Sequence, residues 1–153
     1  MTARVTVIGI GNTLMGDDGF GVRVAEELLC RELPPDVEVV VGSVAGMSLV
    51  GHLLDSERVI FADAIDARAE PGSVFRFDPD DVGVTQLRSN TIHGMSVSYL
   101  VTTARFSGAH PDVLVYAVQV EDVRPHPDTL TPKVLAAVGD VADMIEAELT
   151  QPS

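Results

Sequence analysis

The sequence predicts an α/β fold: a single-domain three-layer sandwich with a mostly parallel, twisted sheet and helices on both faces. Two observations predict it. Apolar runs rich in β-branched residues recur at 4–10, 37–43, 57–63 and 112–119, the signature of buried strands. Segments with helical spacing lie between or after them, at about 20–33, 46–55, 93–106 and 131–149, and strands alternating with helices pair in parallel under cover on both sides. With 153 residues and no repeat, linker or low-complexity stretch, the whole of 1–153 reads as one domain with one good core.

The first strand runs into a turn with glycines at 9, 11, 16, 19 and 21. Such a turn is built for backbone geometry and close approach, and it presents Asp17 and Asp18. The following helix carries Cys30 in a pattern with Leu28, Leu29 and Leu33, which predicts a buried, inert thiol. The second strand ends in Gly42-Ser43, and the third, Arg58-Val-Ile-Phe-Ala-Asp-Ala64, puts Asp63 at its mouth. Gly72-Ser-Val-Phe-Arg-Phe77 reads as a short strand at an antiparallel edge, followed by the acidic loop Asp78-Pro-Asp-Asp81. A polar loop, Asn90-Thr-Ile-His-Gly-Met-Ser96, turns into the next helix. The last helix has Thr131 as its cap, Pro132 in its first turn, and a stripe of Leu135, Val138, Ala142, Ile145 and Leu149. The tail 151–153 is expected to fray.

Charge and composition bound the partners. A formal net charge of −13 makes nucleic acid an improbable ligand. No run of eighteen apolar residues occurs and the chain enters a strand at once, so neither a membrane span nor a signal peptide is expected. The expectation is a soluble cytoplasmic protein. A lone cysteine excludes an internal disulfide and any multi-cysteine metal site.

Two familiar readings of the first turn fail. Gly9-Ile-Gly11 opens like a dinucleotide fingerprint, but position 14 is Leu, the second strand lacks its terminal acid, and two carboxylates would repel a pyrophosphate. A phospho-accepting receiver domain also pairs acids after its first strand and adds an Asp after its third. It needs a lysine after the fifth strand, where this chain has Gln119-Val-Glu121; the only lysine, Lys133, opens the last helix.

In a doubly wound sheet, ligands bind beyond the carboxyl ends of the strands. Three residues gather there: Asp18, Asp63 and His93. One or two carboxylates plus an imidazole suit a divalent first-row metal, and three protein ligands leave a coordination position open. Each also has a structural reading. Asp18 could cap a helix, Asp63 could form a turn before Ala64-Ile-Asp66, and His93 could be a helix-start residue bonded to backbone. Adjacent residues cannot both point into one cleft, so Asp18 is assigned to the site and Asp17 to capping or loop support. His52, His110 and His126 read as structural or solvent-exposed.

The chain resembles the hydrogenase maturation endopeptidases, from Val5 to about Leu149. The resemblance is carried by Gly9-Ile-Gly-Asn-Thr-Leu-Met-Gly-Asp-Asp-Gly-Phe-Gly-Val-Arg23, Gly46-Met, Phe61-Ala-Asp-Ala-Ile65, His93-Gly and Pro132. It implies an endopeptidase that removes a C-terminal extension from the precursor of a nickel-iron hydrogenase large subunit after nickel insertion, with Asp18, Asp63 and His93 as nickel-sensing and metal-binding residues. Nickel is expected to come with the substrate, and the protein to act as a monomer. The first-motif acid is Glu in some relatives and Asp18 here. Val118-Gln-Val-Glu-Asp122 looks like a Gln-Pro-Glu stretch with Val120 in place of proline, which alters the local turn. One mechanism makes the metal a recognition element; another makes it a Lewis acid as well. No Ser-His-Asp arrangement, reactive cysteine or H-E-x-x-H is evident, which leaves Asp17 or Asp18 as a metal-free general base. A non-cleaving chaperone or binding protein for the same subunit is the alternative. The loops 44–48, 64–72 and 78–92 are expected to carry specificity.

Overall fold

The computed structural model describes residues 4–42, 46–81, 88–89 and 97–150. His93 and the tail 151–153 therefore lie outside the described residues, as do parts of the loops 44–48 and 78–92.

Strands β1 (Val5–Ile10), β2 (Val37–Gly42), β3 (Arg58–Asp66), β4 (Val74–Phe77), β5 (Arg88–Ser89) and β6 (Asp112–Gln119) form one sheet in the order β2-β1-β3-β6-β4, with β5 paired to β3. β1 pairs in parallel with β2 and β3, and β3 in parallel with β6. β4 closes the edge antiparallel to β6, as its position after a turn and before an acidic loop predicts. β5 meets Ile65 and Asp66 antiparallel, beyond the last residues of β3 that pair with β1. Two residues carry no readable periodicity, so the sequence did not reveal it.

The helices are α1 (Phe20–Leu29), α2 (Val50–Leu54), α3 (Val97–Phe106) and α4 (Pro132–Thr150). Alternation along the strands splits the core in two. Val7, Ile60, Ala62 and Tyr116 face α1 and α4, whereas Ile8, Phe61, Val115 and Ala117 face α2 and α3. The three-layer sandwich is the one the sequence predicts. No helix among the described residues is long and apolar enough to cross a membrane.

Details differ from expectation. α1 stops at Leu29, so Cys30 caps it and is exposed rather than buried. The helical spacing around it misleads because Leu28 is in the core while Leu29 is 57% exposed. On α4, Val134 and not Leu135 joins the buried stripe, which continues through Val138, Val141, Ala142, Ile145 and Leu149. Thr131 gives its hydroxyl hydrogen to Asp17, and this bond rather than a capping one is what the structure shows of its side chain.

The approach of α1 to the sheet depends on two glycines. A Cβ on Gly21 would overlap the carbonyl oxygens of Ala62 and Ile10, and one on Gly9 would overlap that of Gly21. The helix start therefore rests on the ends of β1 and β3 at backbone distance. Only residues without a side chain permit this.

Candidate functional site

The first turn leaves β1, crosses a short 3₁₀ segment (Gly16–Gly19) and enters α1. Asp17 and Asp18 lie in that segment, both fully buried. Burying a carboxylate costs free energy unless hydrogen bonds or cations compensate it, and the two acids meet that demand differently.

Asp17 ties the turn to distant parts of the chain. Its Oδ2 accepts the N–H of Glu121 at 2.8 Å and of Asp122 at 3.0 Å, and its Oδ1 accepts the N–H of Thr131 at 2.7 Å. The Thr131 hydroxyl donates to both oxygens, and the Asp17 N–H donates to the Asp122 carbonyl at 2.9 Å. The turn, the segment after β6 and the start of α4 thus converge on one carboxylate. Loop support is the role predicted for Asp17.

Asp18 points elsewhere. Its Oδ2 accepts the N–H of Asn12 at 2.9 Å, which holds it against the segment leaving β1. Asp63 lies on β3 next door, 2% exposed, with Oδ1 accepting the N–H of Ala64 at 2.8 Å. Since Gly9 pairs with Ala62, Asp63 is one residue past the last pair between β1 and β3. The 3₁₀ segment packs on β3. Two of the three predicted site residues are therefore buried at the carboxyl ends of adjacent strands. Val59, Phe61 and Ile65 face the α2 and α3 layer, so alternation puts Asp63 on that face too. In the sequence, His93 precedes the first residue of α3, Val97, by four positions. Among the described residues, no group of three His, Cys, Asp or Glu side chains could hold a metal ion.

Gln119, buried at the end of β6, is a structural hub that sequence reasoning treated only as part of a motif. Its Oε1 accepts the N–H of Ala67 at 2.7 Å and of Ala69 at 3.2 Å, and its Nε2 donates to Asp66 Oδ1 at 3.2 Å and to the Val120 carbonyl at 3.0 Å. One signal was available: an amide at the end of an otherwise apolar strand must find buried partners. The Val120 N–H donates to the Ile65 carbonyl at 3.1 Å, a bond that proline could not make. Val120 thus extends the contact between β6 and β3 by one hydrogen bond.

Beyond Val120, the Arg124 guanidinium beside Asp122 holds its carboxyl well below the usual range. The exposed Cys30 is no neighbour of this site. It caps the far end of α1, about 15 Å along the axis from the first helical residue.

A family model described as hydrogenase maturation protease matches residues 22–148. The chain is 32% identical over 151 residues to the hydrogenase 2 maturation protease of Escherichia coli K12, covering 97% of this chain and 92% of that one. It is 29% identical over 152 residues to a putative hydrogenase maturation protease of Methanocaldococcus jannaschii, covering 95% and 96%. Among solved structures, the hydrogenase maturating endopeptidase HybD from E. coli superposes with a TM-score of 0.84 at 32% identity, covering 95% of this chain and 91% of that one. A [NiFe] hydrogenase maturation protease HycI from Thermococcus kodakarensis KOD1 gives 0.79 at 25% identity, with 98% and 94% covered.

Proposed function

The chain belongs to the hydrogenase maturation protease family, and from that premise we propose that this peptidase removes the C-terminal extension of a nickel-iron hydrogenase large-subunit precursor once nickel is inserted. The observation that carries the proposal is the pair Asp18 and Asp63, buried at the mouths of neighbouring strands. The carboxyl side of the sheet, toward which both lie, is where a sheet of this kind offers a ligand cleft. His93, four positions before Val97 in the sequence, is the third member.

On this reading, nickel arrives as part of the substrate. Asp18, Asp63 and His93 recognise it in the precursor, so that only a loaded subunit is seated with its extension in place for hydrolysis. Two carboxylates and an imidazole match a divalent first-row ion, and three ligands from this chain leave room for those of the precursor. Asp17 takes no part in recognition. Its oxygens are engaged with Glu121, Asp122 and Thr131, and it holds the turn that aims Asp18. The protein acts as a monomer in the cytoplasm.

The test is incubation of the purified protein with a large-subunit precursor, with and without inserted nickel, read by intact mass. The expected result is loss of a C-terminal peptide from the nickel-loaded form alone. Equal cleavage of both forms would remove nickel from the recognition step. His93→Ala is expected to cleave subsaturating loaded precursor at under about 1% of the wild-type rate, because the loaded subunit is no longer seated. Wild-type turnover by that variant would show the assignment to be wrong. The purified protein is expected to hold no stoichiometric nickel, which elemental analysis checks.

A further inference from the structure

Of the Lys and Arg residues whose side chains are described, every one except Arg23 and Arg68 is ion-paired with an aspartate or glutamate. Arg23 is half-buried, whereas Arg68 is exposed. In a chain of net charge −13, an exposed guanidinium with no ion pair among the described residues is a rarity.

Arg68 is also in an unusual conformation. Its φ is 55°, in the left-handed region that glycine occupies freely and arginine does not. Asp128 is the other described non-glycine residue there, but Asp tolerates that region. The loop that imposes this conformation is pinned at several points. Gln119 holds the N–H groups of Ala67 and Ala69, and Asp66 Oδ1 accepts the Arg68 N–H at 3.1 Å. The Ser73 N–H and hydroxyl close on the Glu70 carbonyl at 3.0 and 2.6 Å, and the Gly72 N–H donates to the Gln119 carbonyl at 2.9 Å. Asp66 feels the Arg68 charge, yet the acceptor bonds shown for its carboxylate go to the Arg68 backbone and the Gln119 amide. A position whose backbone favours glycine thus carries a long cation, on a pinned backbone just past β3, the strand that bears Asp63.

We infer that Arg68 determines specificity by pairing with a carboxylate of the precursor's C-terminal extension, supplied either by an acidic side chain or by the chain terminus. The inference rests on the reaction proposed above and adds a docking residue outside Asp18, Asp63 and His93. The pinned backbone fixes where the side chain starts, so less freedom is lost on pairing than from a mobile loop, and the planar guanidinium fork suits a carboxylate.

Steady-state cleavage of the nickel-loaded precursor by wild type, Arg68→Gly, Arg68→Lys and Arg68→Glu tests it. Glycine relaxes the backbone while deleting the cation, so Arg68→Gly is expected to melt at or above the wild-type temperature, yet to raise KM about 5-fold with kcat unchanged. Arg68→Glu is expected to raise KM by about 10-fold or more, and Arg68→Lys to recover most of the loss, with all differences shrinking as salt is added. Two altered precursors identify the source of the carboxylate: one ends in a C-terminal amide, the other has the acidic side chains of its extension converted to amides. The one that abolishes the difference between wild type and Arg68→Gly carries the partner. If neither does, or if all variants share the wild-type KM at low salt, the Arg68 inference falls while the reaction stands. If wild type neither binds nor cleaves a precursor competent for processing, the reaction itself falls and takes this inference with it.

Discussion

Asp17 and Asp18 are chemically identical neighbours, and the direction of each side chain separates their roles. Asp17 accepts three backbone N–H groups and a hydroxyl, so Asp17→Ala strands buried donors on Glu121, Asp122 and Thr131. That loss is expected to cost about 3 kcal/mol, since unsatisfied buried donors and lost bonds to a charged acceptor each contribute 1 kcal/mol or more. Urea denaturation measures it, and an unchanged midpoint would contradict the anchoring role. Asp18→Asn is expected to abolish cleavage with a far smaller stability change. The sequence could separate the two acids only by noting that adjacent residues point apart. It could not show what Asp17 grips, because every partner lies more than 100 residues away. Asp63 was legible as an acid in an apolar strand, but β3 runs on to Asp66, so the acid lies within the strand, one residue past its last pair with β1, rather than at its end. The wrong expectation for Cys30 came from a helical pattern that continued past the end of the helix.

At the scale of elements, the glycine-rich motif is explained by docking. α1 sits on β1 and β3 closely enough that a methyl group on Gly21 would overlap two carbonyl oxygens. Gly21→Ala is therefore expected to destabilise the protein by about 3 kcal/mol or more, or to prevent folding, because the obstacle is backbone rather than a side chain able to move. A thermal shift assay reads this, and a wild-type melting temperature would refute the packing account. Gly51, on α2, faces open space, so Gly51→Ala is the control, expected to be neutral or slightly stabilising. The mostly parallel sheet, both helical layers and the antiparallel edge strand followed from the sequence pattern, whereas the strand order did not. β5 did not, and α2 proved shorter than predicted, with a 3₁₀ turn (Gly46–Leu49) taking its first residues.

Over the whole molecule, charge and ion pairing pull in opposite directions as pH falls. Near α4's end, Glu148 accepts from Arg58 at 2.8 Å and from Arg76 at 2.6 Å, with the Tyr116 hydroxyl at 3.1 Å, and so joins α4 to β3, β4 and β6. Burial pushes its carboxyl up, but these hydrogen bonds outweigh burial and hold it below its usual range. Asp36 and Asp80 are held low by Arg4 and Arg105, and Asp66 by the Arg68 backbone and Gln119. A carboxyl whose folded pKa is depressed stabilises the fold above its unfolded value and loses that contribution as pH drops through the folded one. Mild acid first relieves the repulsion within a chain of net charge −13 and pI about 4.4. The melting temperature is therefore expected to hold or rise from pH 7 to about 5 and to fall steeply below about 4. A monotonic decline from pH 7 would contradict this. Glu148→Gln is expected to lower stability by about 1 kcal/mol at pH 7 and to narrow the gap below pH 4, where the wild-type carboxyl also becomes neutral.

The Asp17 junction has a kinetic consequence. The turn bearing Asp17 and Asp18 is translated more than 100 residues before its anchors at Glu121, Asp122 and Thr131. Contacts of such long sequence separation form late, after the intervening chain has collapsed. A nascent chain that has not yet reached Thr131 cannot close the junction, so the acidic turn acquires its final shape only after that residue is made. The arrangement thus makes the shape of the turn that also carries Asp18 depend on residues translated long after it.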